Sequence, residues 1–505
     1  MSPGFLFADR PDDIVRVRES LDQAGYTQAN AHRILGDNVL VMQGFVFLAA
    51  GDLTPHVHRT GGGSPLETLI RLFLLGVDVD LSHATQALAP LGPEVWAEAG
   101  LVAIRSSRVT GLVRLLPYEA GGDDWIVAYD SSARRRHQAA DFVIGVGLAS
   151  CTLASMTVRP HVERCLDLGT GNGVQAVHAH QHADVVVATD RNARAVAFAA
   201  FTAALNRIAN VTAREGSLFD PIQGEQFGLI VSNPPFIISP EASFAWRDGG
   251  LPLDGLCRRI VAEAPAHLER DGWCQLLANW VHPGDGDWRQ RLAGWFEGTG
   301  CNVWVIQRQV QDAERYAAGW IGYEGLDATR AKEAFDAWME HYRQADVAAV
   351  GYGLITMRRS SGAAPWVRID ELTQDFEVPC GDAIQAGFER FTWLADVGHD
   401  NRRLLAARLR AADDVRLDER RVLCAGSWES RKAELRLAHG LRQERPADPE
   451  AAAVVAGCNG SSALGQVLEG VASSAGSNPT SIAARAVPIV RNLIEQGFLV
   501  PDGPG

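Results

Sequence analysis

The 505-residue chain contains no run of about 18 apolar residues, the length that would cross a bilayer as a helix. Its start, MSPGFLFADRPDDIVRVRESL, has no basic segment followed by an apolar one, so no secretion signal is expected. Cysteine is sparse. Cys151, Cys165, Cys257, Cys274, Cys301, Cys380, Cys424 and Cys458 form no C-x-x-C pair, and most sit in apolar stretches. That argues against a zinc site or a disulfide framework and for buried free thiols in a cytoplasmic protein. Positive charge is in deficit, with 47 Lys and Arg against 61 Asp and Glu, a net −14. Non-specific binding to nucleic acid needs a basic footprint, so this balance disfavours it. Two local patches, Arg134-Arg135-Arg136 and Arg402-Arg403 with Arg408 and Arg410, read more readily as solvated faces than as phosphate clamps.

What is present is a globular composition, 47% hydrophobic and 21% charged, in a chain long enough for about two to four domains. The middle third alternates strand-like and helix-like stretches. RCLDLG (164–169), ADVVVATD (183–190), GLIVSN (228–233), GWCQLLANWV (272–281), NVWVIQRQV (302–310) and VGYGLITMRR (350–359) read as strands. Residues 172–182, 192–206, 254–268 and 329–344 read as helices. Such alternation predicts an α/β domain, a parallel sheet with helices on both faces. Before it, helical spacing at Ile14, Val17 and Leu21, a Gly-rich break at 59–65 and a helix over Leu66–Leu75 lead into a strand-and-turn stretch. After it, SSGAAP (360–365) reads as a linker, and the chain ends with helices and then a strand. Both flanks suggest winged-helix-like α+β modules. The division is 1–140, 141–362 and 363–505, with no internal repeat.

Two motifs carry chemistry. LDLGTGNG places Asp167, Gly169, Gly171 and Gly173 where the first strand of the α/β domain turns into its helix. Glycines there permit positive φ and close approach of a ligand to the backbone, at the carboxyl end of a parallel sheet. The spacing is not the dinucleotide G-x-G-x-x-G, because Val174 stands where the third glycine would fall. Asp190, ending the second strand, can take both hydroxyls of a ribose. The plain alternative is a tight turn and a helix-capping aspartate. The second motif is LIVSNPPFII (229–238), where a buried strand stops at Asn233-Pro234-Pro235-Phe236. Proline has no N–H for a strand ladder, so the strand cannot continue.

Together these motifs resemble those of class I S-adenosylmethionine-dependent methyltransferases, whose NPPF form is used when the acceptor is a planar-group nitrogen. Over about 165–280 the chain is similar to release-factor glutamine methyltransferases. The matching pieces are EGSLFDPIQGEQFGLIVSNPPFI, Asp248-Gly249-Gly250 and Arg258-Arg259-Ile260. The resemblance implies a Rossmann-like seven-stranded sheet and S-adenosylmethionine as cofactor. It implies that Asp167, Gly169, Thr170, Gly171, Asn172 and Gly173 line the methionine part, that Asp190 and Arg191 serve the ribose, and that Ser217 and Leu218 lie beside the adenine. The family commonly has Asp where Ser217 stands. Asn233 would touch both cofactor and acceptor, with Pro234, Pro235 and Phe236 completing the catalytic set. The segment 145–157 either closes over the cofactor or is plain packing.

The implied chemistry suits these residue types. An amide or exocyclic amine is a poor nucleophile, and two fixed acceptors, the Asn233 side-chain oxygen and the Pro234 carbonyl, would each take one of its N–H groups. Phe236 would stack on the planar group, and no catalytic histidine is expected. The expected acceptor is a protein glutamine. The alternatives are an rRNA or other nucleic-acid base amine and, from another class, a non-catalytic cofactor-binding scaffold, against which the intact Asn233 argues. His56 and His58, or His178, His180 and His182, could suggest a metal, yet no acidic or Cys partner lies at ligand spacing. Trp273, Trp280, Trp288 and Trp295 read as packing.

Overall fold

The computed structural model describes all residues except 1–4, 37–38, 43–44, 49–52, 132–133, 135–138, 241–246, 325, 361–363, 373, 399, 475, 477 and 503–505. Arg135, Arg136 and part of the 360–365 linker therefore lie outside the described residues. The chain divides into two compact units. The first holds Met1–Ala154, Pro160–Arg359 and Val367–Glu371, and the second holds Ser155–Arg159, Ser360–Trp366 and Leu372–Gly505.

The first unit is built on an eight-stranded sheet. Its strands are β1 (Val162–Leu168), β2 (Ala183–Asp190), β3 (Val211–Glu215), β4 (Phe227–Ser232), β5 (Leu268–Pro283), β6 (Cys301–Asp312), β7 (Val347–Arg359) and β8 (Val367–Glu371), in the order β3-β2-β1-β4-β5-β7-β6-β8. Strands β1 to β5 pair in parallel, while β7 runs antiparallel to β5 and β6. The α/β sheet is the one expected, but it is mixed rather than wholly parallel, because β7 enters antiparallel, and it carries an eighth strand. Sequence alone assigns Val367–Glu371 to the C-terminal part, but the segment pairs in parallel with β6. Five residues of ordinary content carry little pattern, and an available sheet edge decided their place.

The central strands are apolar on both faces because both faces are covered. Every residue of β4 is buried. Helices α1 (Leu148–Met156), α2 (Val174–Ala179), α3 (Ala193–Leu205), α4 (Gly255–Glu263), α5 (Ala313–Glu324) and α6 (Ala328–Gln344) accompany the sheet. The Ala-rich α3 starts at Asn192, whose side chain accepts from the Arg194 N–H, a standard N-cap. Trp280 is fully buried and Trp273 and Trp295 nearly so, consistent with packing, while Trp288 stacks on His282 at 4.3 Å between centroids.

Residues N-terminal to the sheet share a core with α2 and α3. Phe7, Val17, Leu21, Phe73 and Trp96 belong to the same buried cluster as Val177, Phe198 and Leu205. The hairpin Val113–Ala120 with Asp123–Asp130 is tied to α3 through Asn206, which accepts from the Ile126 N–H and donates to the Ile126 carbonyl. A buried ion pair, Arg194 with Asp130 at 2.6 Å, adds a second link. His178 is explained here as well: its Nε2 lies 2.7 Å from the Tyr118 hydroxyl inside this core.

The second unit has its own core, centred on Leu404, Leu464, Leu468, Val490, Leu493 and Phe498. Helices Gly381–Val397, Pro449–Gly457, Leu464–Ser474 and Pro479–Gln496 surround a three-stranded sheet of Asn459–Ala463, Arg408–Ala411 and Leu499–Pro501. A second sheet joins Val415–Cys424, Ser427–Leu437 and Glu444–Pro446. Among the described residues, no helix is long and apolar enough to cross a membrane.

Candidate functional site

The register of the sheet brings the two motifs together. Leu168, at the end of β1, is the partner of Ser232, at the end of β4, and the Ser232 hydroxyl donates to the Leu168 carbonyl at 2.7 Å. The next residues along the two strands are Gly169 and Asn233. A bend and a proline-stopped strand therefore open side by side at the carboxyl edge, where ligands bind in such sheets.

The bend is held from both sides. Gly169, Gly171 and Gly173 have φ of 74°, 57° and 85°, values that favour glycine. The Gly169 and Thr170 N–H groups both donate to the Thr189 carbonyl. Asp167 is 1% exposed. Its Oδ2 accepts from the Thr170 hydroxyl at 2.5 Å and from the Ala176 N–H at 3.0 Å, so it fastens the bend to α2. Burial pushes its carboxyl up to about 7, against the lowering pull of Thr170 and Ala176. Asp190 ends β2 half-buried, its Oδ1 accepting from the Asn192 N–H at 2.8 Å and its Oδ2 from the Gly171 N–H at 3.0 Å. Burial raises this carboxyl too, opposed first by those two N–H groups. Each oxygen keeps a lone pair for a ligand hydroxyl.

At the other motif, the Asn233 amide donates to the Ser150 hydroxyl at 3.3 Å. Ser150 lies on α1, and its carbonyl accepts from the Gln175 side chain at 2.7 Å. Phe236 packs on Tyr352, the ring centroids 5.7 Å apart and tilted by 47°. The chain beyond returns to it: Ile237 forms a bridge with Asp248, and a Cβ added to Gly249 would sit 3.0 Å from the Pro235 carbonyl. The same Cβ would sit 2.8 Å from the Leu256 side chain, so the Asp-Gly-Gly segment needs its first glycine because α4 and the proline loop both crowd it. Arg247 and Asp248 form an ion pair at 2.7 Å, both 3% exposed.

One cavity of about 440 Å³ joins these parts. Gly169, Thr170, Gly171, Asn172, Asp190, Arg191, Ser217, Leu218, Asn233, Pro234, Pro235 and Phe236 all line it. Asp167 and Gly173, expected beside them, do not. Asp167 sits behind the bend, and Gly173 caps α2, where an added Cβ would lie 3.0 Å from the Ala199 Cα. Leu218 takes φ 49°, a strained value for a branched side chain of the kind found at functional sites. The segment 145–157 contributes Gly145, Gly147, Ala149 and Ser150 to the wall. Sequence reasoning missed Phe142, Ile144, Gln175, Arg247 and Trp320, which also line it. Only Arg247, next to the Asp-Gly-Gly segment, carried a usable signal.

Comparison with known proteins agrees with the motifs. Residues 145–285 match the methyltransferase small domain family, and residues 23–112 and 385–501 match two domains of unknown function (DUF7059 and DUF7782). A release factor glutamine methyltransferase of Geobacter sulfurreducens is 34% identical over 251 residues, covering 46% of this chain and 81% of that protein. One of Xylella fastidiosa is 38% identical over 130 residues, 23% of this chain, and there the chain spans about half of the relative's length, 47%. A ribosomal protein uL3 glutamine methyltransferase of Bradyrhizobium diazoefficiens is 36% identical over 129 residues, 22% of this chain and 39% of that protein.

Proposed function

Since the chain belongs to the family of release factor glutamine methyltransferases, we propose that it transfers a methyl group from S-adenosylmethionine to the side-chain amide nitrogen of a protein glutamine. The relatives are named for release factor and for ribosomal protein uL3, so the acceptor proposed is a protein of translation and the compartment the cytoplasm. The reading rests above all on one observation: a single cavity runs from the glycine bend and Asp190 to Asn233 and Phe236.

The cofactor fits the donor set. A Cβ at Gly169 or Gly171 would meet no atom within 4 Å, so the backbone there faces open space. The Thr189 hydroxyl, buried at the same wall, has no partner among the described residues. Asp190 would hold the ribose hydroxyls, the bend the amino-acid end, and Ser217 with Leu218 the adenine. When bound, the cofactor supplies an electrophilic sulfonium methyl group.

The remaining work falls to this chain's residues. Ser150 takes the Asn233 amide N–H, which leaves the Asn233 Oδ1 to accept one N–H of the acceptor. The Pro234 carbonyl accepts the other, and the proline rings fix both by locking φ. A hydrogen bond to a group acquiring charge contributes about 1.5–3 kcal/mol, and orientation of well-held reactants about 7 kcal/mol or more. Phe236, braced by Tyr352, offers a face to the planar amide. Residues 1–140 and 363–505 would select the acceptor.

The test is to incubate purified protein with methyl-labelled cofactor and a cell lysate. Label should enter protein, resist ribonuclease, and be released as methylamine on acid hydrolysis. Counts that resist protease but disappear with ribonuclease would instead assign a nucleic-acid base.

A further inference from the structure

Strands β6 and β7 are antiparallel neighbours, and two residues suffice to join such a pair. Here the connection carries two helices, α5 and α6. Their buried side chains, among them Tyr316, Ile321, Trp338 and Tyr342, form one cluster with Ile237 and Ile238, and Phe236 packs against it. The reason lies in the motif. Once the prolines stop β4, the backbone that follows keeps a single bridge, Ile237 with Asp248, and the other buried N–H and C=O groups must be satisfied elsewhere. Ile238 is 0% exposed. Its N–H donates to the Tyr316 hydroxyl at 3.2 Å, and its carbonyl accepts from the Tyr342 hydroxyl at 2.6 Å. Both polar groups of that residue are thus held by the inserted helices.

Trp320 lies four residues beyond Tyr316, on the same face of α5, and is one of the residues lining the cavity. It is supported on two sides, 6.3 Å from Tyr316 and 6.1 Å from Tyr323 between centroids. Three aromatic rings line the cavity among the described residues: Phe142, Phe236 and Trp320. Phe142 belongs to the segment that Asn172 and Asn192 hold through the Ile144 and Asp141 carbonyls, beside the glycine bend and Asp190. Trp320 and Phe236 each pack against the cluster of Ile237, Ile238, Tyr316 and Trp338, at the acceptor end. Leu251, 40% exposed, lines the cavity as well.

From this placement, and resting on the glutamine reading above, we infer that Trp320 is a specificity-determining residue for the acceptor. Its indole forms the wall along which the two methylenes and flat amide of a glutamine side chain lie. The Tyr316 and Tyr342 hydroxyls keep that wall in register with Asn233. A glutamine side chain is half apolar stem and half planar head, and an indole face suits both.

The experiment uses the full chain, a release factor as acceptor, and variants Trp320→Ala, Trp320→Phe and Tyr316→Phe, each checked for an unchanged far-ultraviolet spectrum. Trp320→Ala should raise the KM for the acceptor roughly tenfold or more, the loss typical of a buried aromatic anchor, with cofactor Kd unmoved. Trp320→Phe should recover most of that loss. Tyr316→Phe should lower kcat while leaving cofactor Kd alone. An acceptor KM unchanged in Trp320→Ala, in a preparation whose wild type labels the release factor, overturns this inference by itself. An equal loss of cofactor affinity also overturns it, since the ring would then serve the other end. A wild type that labels no protein, in the release factor or in lysate, overturns the glutamine reading and this inference with it.

Discussion

Replacing Asn233 by alanine separates the two ends of the cavity most cleanly. In the native chain the Asn233 amide is fixed only lightly, through a 3.3 Å hydrogen bond to Ser150, so little folding stability goes with it. The groups proposed to hold the cofactor are Asp190, fastened by the Gly171 and Asn192 N–H groups, and the bend fastened by Asp167. None of these bonds involves the Asn233 side chain. Cofactor affinity should therefore stay within about twofold of wild type, a change well under 1 kcal/mol. The proposed transfer step loses one of two acceptors facing a nitrogen that becomes charged. At about 1.5–3 kcal/mol for such a bond and 1.36 kcal/mol per factor of ten, kcat should fall roughly 10- to 150-fold. Calorimetry gives the first quantity, and a labelled-methyl assay at saturating cofactor gives the second. A variant with wild-type kcat, or one that loses cofactor affinity as steeply as turnover, would refute the assignment of Asn233 to the acceptor.

Other consequences concern its neighbours. Ser150→Ala removes the group that orients the Asn233 amide, and a neutral hydrogen bond contributes about 0.5–1.5 kcal/mol; a kcat lower by roughly 2- to 12-fold is expected, with Ser150→Thr closer to wild type. Asp190→Ala should weaken cofactor binding at least about tenfold, as lost charge-assisted bonds do, yet lower the cofactor-free melting temperature little, because burial already disfavours that carboxylate; calorimetry and thermal melting together test it. Asp167 sets a pH dependence. Its folded carboxyl lies at about 7 against an ordinary 3.8, so the folded state binds the proton more tightly than the unfolded chain. Its contribution to stability is then full below about pH 4 and declines as pH rises to about 7, at up to about 1.4 kcal/mol per unit. Asp167→Asn should remove that decline, so melting temperatures compared at pH 5 and pH 8 should fall less in the variant than in wild type. Equal falls would show that the carboxyl titrates normally.

Much of the central sheet was legible because its elements obey local rules. ADVVVATD and GLIVSN are short apolar runs bounded by turn residues, and the Ala-rich stretch after Asn192 is a capped helix. Edge and inserted elements were not legible. β3 has the half-exposed sequence VTARE, and β8 is VRIDE, both too polar to stand out as strands. Helix α5, AERYAAGWIGYE, carries two glycines that weaken a helical reading. The helix expected over 172–182 shrinks to Val174–Ala179, since three glycines at its entrance serve the bend rather than the helix. Gln175 and Trp320 could not be assigned to the site in advance, and Ser150 entered only as part of the segment 145–157, for each reaches the cavity from a different element.

Local chemistry written into the chain was enough to state that a glycine bend follows one strand, that paired prolines end another, and that an acidic side chain closes the strand between them in sequence. These depend on φ preferences and missing N–H groups, which no distant residue can change. That Gly169 and Asn233 stand side by side depends on strand register, set by pairing of Leu168 with Ser232. That Asp167 turns inward while Asp190 faces the cavity depends on which elements bury each. Those outcomes arise from long-range packing, and only the folded chain could decide them.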